Sequence, residues 1–218
     1  MKLIPEWYEH QYCLIAWPCN KDLYGKIINK ARDEVANVIN EIAKTEHVIV
    51  LSNKEDINEI QNKTDHKNID IVECKLDDSW MRDIAPIFYN EDEKLKSISF
   101  EFNGYGKYPD YLNDNKISKF ISNYLNIPTK ISDLVIEGGA ITYDDKKNLF
   151  STKNVIFNKN RKQKHNSEYI IKELKLLFDL NYIFLFENGL MEDDTDGHVD
   201  NLLLSLIHIS EPTRLRTI

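Results

Sequence analysis

Asp194-Thr195-Asp196-Gly197-His198-Val199-Asp200 closes a run in which an amphipathic helical pattern from about Ser167 to Phe178 is followed by the apolar strand pattern Tyr182–Phe186. The same succession occurs twice upstream. A strand pattern at Ile98–Phe102 precedes helical spacing at Ile117, Phe120, Ile121, Tyr124 and Leu125, and a short strand then leads through Val135-Ile136 to Glu137-Gly138-Gly139. Before that, apolar positions Ile27, Ile28, Ala31, Val35, Val38, Ile39 and Ile42 predict one long helix starting at Tyr24. The strand pattern His47–Leu51 comes next. Ser52 with Glu55 has capping-box spacing before the apolar run Ile69–Val72, and the chain then reads Asp77-Asp78-Ser79-Trp80-Met81-Arg82-Asp83. A further strand is predicted near Val155–Phe157.

The acid-bearing segments recur at Asp83, Glu137 and His198, separated by 54 and 61 residues, without obvious sequence identity between the rounds. Repeats of this size point to an α/β array or propeller whose equivalent strand ends meet in one place; a doubly wound sheet is the alternative. No low-complexity linker divides the chain. The Asn/Lys-rich stretch Lys159–Asn166 reads as a solvated surface turn.

With 218 residues and 42% apolar content the chain can bury a sizeable core. A balance of 28 basic against 36 acidic side chains, net −8, repels polyanions, argues against nucleic acid and suits a small or cationic partner. No apolar run approaches the about 20 residues that cross a bilayer, so the sequence reads as cytoplasmic with no membrane partner. The three cysteines, Cys13, Cys19 and Cys74, have no paired spacing and are expected to be reduced thiols.

Carboxylates gathered at loop ends suit a planar, permanently charged guanidinium, whose paired N–H donors a carboxylate accepts two at a time. Asp83 and Asp200 are the candidates for that clamp. His198, two residues before Asp200, would project from the same face of an extended segment and could move protons near neutral pH. Glu137, set before two glycines that let backbone approach closely, could orient the imidazole or share the guanidinium charge. Plainer readings exist for each: Asp83 as a surface ion pair with Arg82, Glu137-Gly138-Gly139 as a turn, His198 as structural, Asp194 and Asp196 as loop caps, and Trp80 as core like Trp7 and Trp17. A divalent-metal site built from Glu192, Asp193, Asp194, Asp196, His198 and Asp200 fits neither EF-hand nor H-E-x-x-H spacing.

Pro5-Glu6-Trp7 through Ala16-Trp17-Pro18, Trp80-Met81-Arg82-Asp83, Phe102-Asn103-Gly104 with Lys107-Tyr108-Pro109, Glu137-Gly138-Gly139 and Asp194–Asp200 together resemble the agmatine deiminases, in that family's order, over about residues 4 to 203. The resemblance implies a guanidino-group-modifying, pentein-like α/β propeller of repeated ββαβ modules. It implies hydrolysis of agmatine to N-carbamoylputrescine and ammonia, without metal or cofactor, by a parent that could form a homo-oligomer. It would place Asp83 and Asp200 on the guanidinium, Glu137 and His198 in proton handling, and Trp80 on the pocket wall. The attacking thiolate belongs to a glycine-flanked cysteine motif that this chain lacks, so none of Cys13, Cys19 and Cys74 is assigned as nucleophile. Tyr105-Gly106 stands where many relatives have a tryptophan and one more glycine. Residues 1–203 then form the amino-terminal part of the catalytic domain. Leu204–Ile218 resembles one reading frame through a sequencing adapter and is set aside, His208 with it. Arginine is scarce, with Arg32, Arg82 and Arg161 before that tail, so no spare cation is evident for the α-carboxylate of an arginine or peptidyl-arginine substrate. The alternatives are a non-catalytic guanidine- or polyamine-binding fragment and a peptidyl-arginine or arginine deiminase relative.

Overall fold

The computed structural model describes residues 1–65 and 67–203; the expectations for Leu204–Ile218 lie outside the described residues. A two-residue strand, β1 (Lys2–Leu3), opens the chain and joins the second of three sheets. The first sheet is wholly parallel, β2 (Tyr12–Ala16), β3 (His47–Ser52) and β4 (Ile69–Glu73), with β3 central. The unbroken run Val48-Ile49-Val50-Leu51 is what a parallel strand covered on both faces requires, and all four residues are buried.

The crossover from β2 to β3 does not follow the predicted single helix. Asn20 caps α1 (Lys21–Tyr24) by accepting the Leu23 N–H, Gly25 ends it at φ +50°, and after a 3-10 turn α2 (Ile28–Ile42) carries the rest. The buried face of α2 is Arg32, Ala36 and Ile39, while Ile27 and Val38 are exposed. The guanidinium of Arg32 accounts for the difference. It enters the apolar face to reach the Pro18 carbonyl at 2.9 Å and the Asp56 carboxylate at 2.8 Å. The Ser52–Glu55 capping box does not form either: Ser52 is the last residue of β3, and the 3-10 turn Lys54–Asp56 leading into α3 (Ile57–Lys63) has no side-chain cap.

After α4 (Met81–Ile84) the second sheet begins with a hairpin that periodicity did not reveal, β5 (Ile87–Glu91) against β6 (Lys94–Glu101). Its two-residue loop has Asp92 and Glu93 at φ +53° and +59°, the left-handed pair that matches strand twist. Helix α5 (Ile117–Tyr124) returns the chain to β7 (Thr129–Val135), parallel to β6. The third sheet repeats this ββαβ order: β8 (Thr142–Tyr143) antiparallel to β9 (Asn148–Thr152), then α6 (Lys153–Ile156), α7 (Ser167–Phe178), and β10 (Tyr182–Phe186) parallel to β9. The strand predicted at Val155–Phe157 is thus mostly α6, begun by Thr152, whose hydroxyl oxygen accepts the Val155 N–H. Val155 and Ile156 are buried all the same, which is why their run looked strand-like. The α/β class is as expected, and among the described residues no sheet closes on itself.

Each acid-bearing segment follows the last parallel-paired strand of its sheet: β4 leads to Asp83, β7 to Glu137 and β10 to His198. Strand carboxyl ends are where open α/β sheets place ligands. The second and third sheets share one apolar core, in which Phe178 of α7 lies against Phe100 and Tyr143 at ring distances of 5.9 and 6.5 Å. Phe178→Ala should therefore cost about 3–5 kcal/mol in urea unfolding, whereas Leu176→Ala on the exposed side of the same helix should stay within about 0.5 kcal/mol. Equal effects would show that the core is misassigned.

Candidate active site

Asp83 sits in the single turn of α4, its N–H donating to the Trp80 carbonyl at 2.9 Å. Both of its oxygens are engaged: Oδ1 accepts the Gly139 N–H at 2.9 Å and Oδ2 accepts the Tyr105 hydroxyl at 2.8 Å. Glu137 ends the extended segment after β7, and Gly138-Gly139-Ala140 turn as a 3-10 helix. The two glycines are required by contact. A Cβ on Gly138 would lie 2.0 Å from the Arg82 carbonyl oxygen. One on Gly139 would lie 2.5 Å from His198 Nδ1 and 2.7 Å from both Asp200 Oδ2 and Asp83 Oδ1. Gly139 therefore marks the point on which Asp83, His198 and Asp200 converge.

The last loop is tied from within. Asp193 accepts the backbone N–H groups of Gly197 and His198 at 2.8 and 3.1 Å and the Thr195 hydroxyl, and the Thr152 hydroxyl donates to the Gly197 carbonyl at 2.7 Å. His198, 2% exposed, is thereby set between two acids, Nδ1 3.7 Å from Asp83 Oδ1 and Nε2 3.5 Å from Glu137 Oε2. Asp200 turns to the Arg82 Nε at 3.1 Å, and Arg82 reaches Glu6 at 2.9 Å. The suggested Arg82–Asp83 ion pair is replaced by these partners. The carboxylates of the supposed metal stretch are spent separately: Asp193 on backbone N–H groups, Asp196 on Lys107 and Arg161, Asp200 on Arg82. Among the described residues no group of metal-holding geometry is assembled.

Burial pushes the Asp83 carboxyl up, against the pull of His198, Tyr105 and the Gly139 N–H. Burial would do the same to Glu137, but close contact with His198 and the charge of Arg161 hold it below the ordinary carboxylate range. Burial opposes a charged His198, yet Glu137, Asp83 and Asp200 together hold the imidazolium above its ordinary value.

Four of the five candidate residues, Asp83, Glu137, His198 and Asp200, thus come together. Trp80 adjoins them through its carbonyl and is about half exposed, unlike Trp17, which is buried in the core of the first sheet. Cys13 packs in that same core, and Cys19 and Cys74 pack in the neighbouring one. Burial raises all three thiols, Cys19 to about 12 and Cys74 to about 11, the reverse of thiolate activation. Arg161 is the exception to the reading of Lys159–Asn166 as a solvated turn, in which Lys159, Lys162, Lys164 and Asn166 are exposed. Its side chain is 1% exposed and pairs with Glu137 at 2.7 Å and Asp196 at 2.8 Å. A lone arginine in a lysine-rich stretch was the available signal. Tyr105, at φ +58° and bonded to Asp83, gave no such signal.

A buried imidazole bracketed by carboxylates at the strand ends of three sheets defines an α/β protein with an acid–imidazole site. Over residues 2–207 the chain matches the Porphyromonas-type peptidyl-arginine deiminases, and it belongs to that family. An agmatine deiminase of Pseudomonas aeruginosa is 29% identical over 203 residues, 90% of this chain and 55% of its own length. Among solved structures, the agmatine deiminase of Enterococcus faecalis superposes with a TM-score of 0.85 at 19% identity, covering 91% of this chain and 56% of that one. A substrate-bound cysteine-to-serine variant of the C. jejuni agmatine deiminase gives 0.83 at 28% identity, with 91% and 60% covered. The chain spans little more than half the length of the relatives it matches.

Gly139→Ala should break this convergence, with a loss of about 1–3 kcal/mol in urea unfolding and collapse of any guanidinium binding. A variant with unchanged stability and binding would refute the geometry. Because the folded His198 is raised, its stabilising contribution is complete below its ordinary value of about 6.5 and disappears as pH rises through the raised value. The stability gap between the chain and His198→Gln should therefore narrow from pH 6 to pH 9; a gap that widens contradicts the assignment.

Proposed function

We propose that the parent protein of this chain is an agmatine deiminase, hydrolysing agmatine to N-carbamoylputrescine and ammonia, built as a five-module α/β propeller of which residues 1–203 supply the first three. The observation that carries the reading is the meeting of Asp83, His198 and Asp200 at Gly139, with Glu137 on the far side of the imidazole. Asp83 and Asp200 offer carboxylate oxygens to the guanidinium N–H groups, and the half-exposed Trp80 lies at the border of the site. A thiolate supplied from outside this chain adds to the guanidinium carbon. The C–N bond to one terminal nitrogen then breaks, and His198 delivers the proton with which ammonia leaves. Water gives one proton to His198 and adds to the sulfur-bound carbon; the C–S bond then breaks to expel the thiolate, and the remaining hydroxyl proton passes to solvent as the carbonyl forms. Support for an external nucleophile comes from the three packed, raised cysteines and from the C. jejuni enzyme, captured with substrate as a cysteine-to-serine variant.

The preference for agmatine over arginine rests on the cations. Arg32, Arg82 and Arg161 are all paired with carboxylates, so among the described residues no arginine is left to meet an α-carboxylate. In the complete parent, Asp83→Asn should weaken agmatine recognition by about 2–5 kcal/mol, seen as a higher KM, while His198→Ala should lower kcat more than it raises KM. The 218-residue chain alone should bind agmatine in a calorimetric titration without releasing ammonia. Sustained turnover by the chain, or unchanged kinetics in either variant of the parent, would overturn the assignment.

A further inference from the structure

We propose that Arg161 is a positioning residue of the site: its buried guanidinium fixes Glu137 against His198 and so governs the proton on that imidazole. This rests on the proposed role of His198 in proton transfer. The geometry is that of a hub. Nε lies 2.7 Å from Glu137 Oε1, one terminal nitrogen donates to the Tyr105 carbonyl at 2.9 Å and to Asp196 Oδ2 at 2.8 Å, and the other donates to the Thr195 carbonyl at 2.7 Å. Three of these four contacts lead to a neighbour of His198. Glu137 faces its Nε2 at 3.5 Å; Tyr105 holds Asp83, which faces its Nδ1 at 3.7 Å; and the Thr195 hydroxyl oxygen accepts the His198 N–H at 3.3 Å. A lysine could supply the charge but not this planar set of donors.

The segment bearing Arg161 is itself held for the purpose. Asn103 donates to the Asn160 and Arg161 carbonyls at 3.3 and 2.9 Å, and Asn160 donates to Asp196 at 3.1 Å. Gly106, at φ +69°, approaches so closely that a Cβ there would sit 1.8 Å from the Asn160 carbonyl oxygen. The titratable and charged groups facing His198 are Glu137, Asp83, Asp200 and the Tyr105 ring, with Arg161 behind Glu137 and Arg82 behind Asp200.

Positioning and simple charge make opposite predictions. If Arg161 acts only as a nearby positive charge, removing it raises the pKa of His198. If it acts by holding Glu137 in place, removing it lets the carboxylate leave Nε2 and that pKa falls. The test is a pH titration of the labelled His198 imidazole by NMR in the 218-residue chain, carried out on Arg161→Met and on Arg161→Lys, which keeps the charge and preserves folding if the first variant does not fold. A fall of about one pH unit in either variant is expected, absent when the substitution is made in a Glu137→Gln background. A rise, or a titration unchanged while stability drops, would overturn the proposal. Because the readout needs no turnover, it stands or falls separately from the deiminase reading, which ammonia release by the parent decides.

Discussion

Carboxylates cannot be gathered around a buried imidazole unless each is given donors or a cation, and that constraint organises this molecule from its backbone outward. An unpaired buried carboxylate would take up a proton or unfold its surroundings. Here Asp83 receives a phenol and a backbone N–H, Glu137 receives Arg161, Asp196 receives Lys107 and Arg161, and Asp200 receives Arg82. The glycines at 138 and 139 follow from the same demand, since the Gly139 N–H can reach Asp83 only where no side chain intervenes.

The three sheets meet this demand by separating labour along each strand. Apolar residues fill the cores, where Leu134, Leu149 and Phe178 are fully buried, and the polar segments begin only after the parallel strands end. Such an arrangement keeps like charges out of the cores and concentrates their repulsion at one place. The attraction of these acids raises His198 above its ordinary value against burial, so under the proposed reading a cationic ligand beside Asp83 and Asp200 would compete with the imidazolium for the same carboxylates.

The acid segments were legible in the sequence because their spacing reports a repeated succession of elements, and α7 and β10 fell where periodicity put them. Elements that depend on partners were not. Strand β5 and the first half of β6 hid in a mixed polar stretch, where only Ile98–Glu101 read as strand, Val155-Ile156 mimicked a strand while forming a helical turn, and Ile27 and Val38 suggested a buried stripe that Arg32 occupies instead. In the site, Asp83, Glu137, His198 and Asp200 could be named from residue type and position. The residues that hold them could not, because the contacts of Tyr105 and Arg161 span 22 to 58 positions and no local pattern encodes such a distance.

Composition also carries a distinction that a simple charge count conceals. Among the described residues the ion pairs of Lys44, Lys63, Lys147 and Lys153 lie at the surface, where an ammonium stays hydrated and such pairs are worth little. Arg32 and Arg161 have side chains only 9% and 1% exposed, and Arg82 bridges Glu6 to Asp200 at the edge of the site. Guanidinium is the cation that tolerates desolvation and meets several acceptors at once, and this lysine-rich chain uses it where both are needed. Among the described residues all three guanidinium groups are committed to carboxylates, so the acids of the site are balanced from within by Arg82 and Arg161 and not by its lysines alone.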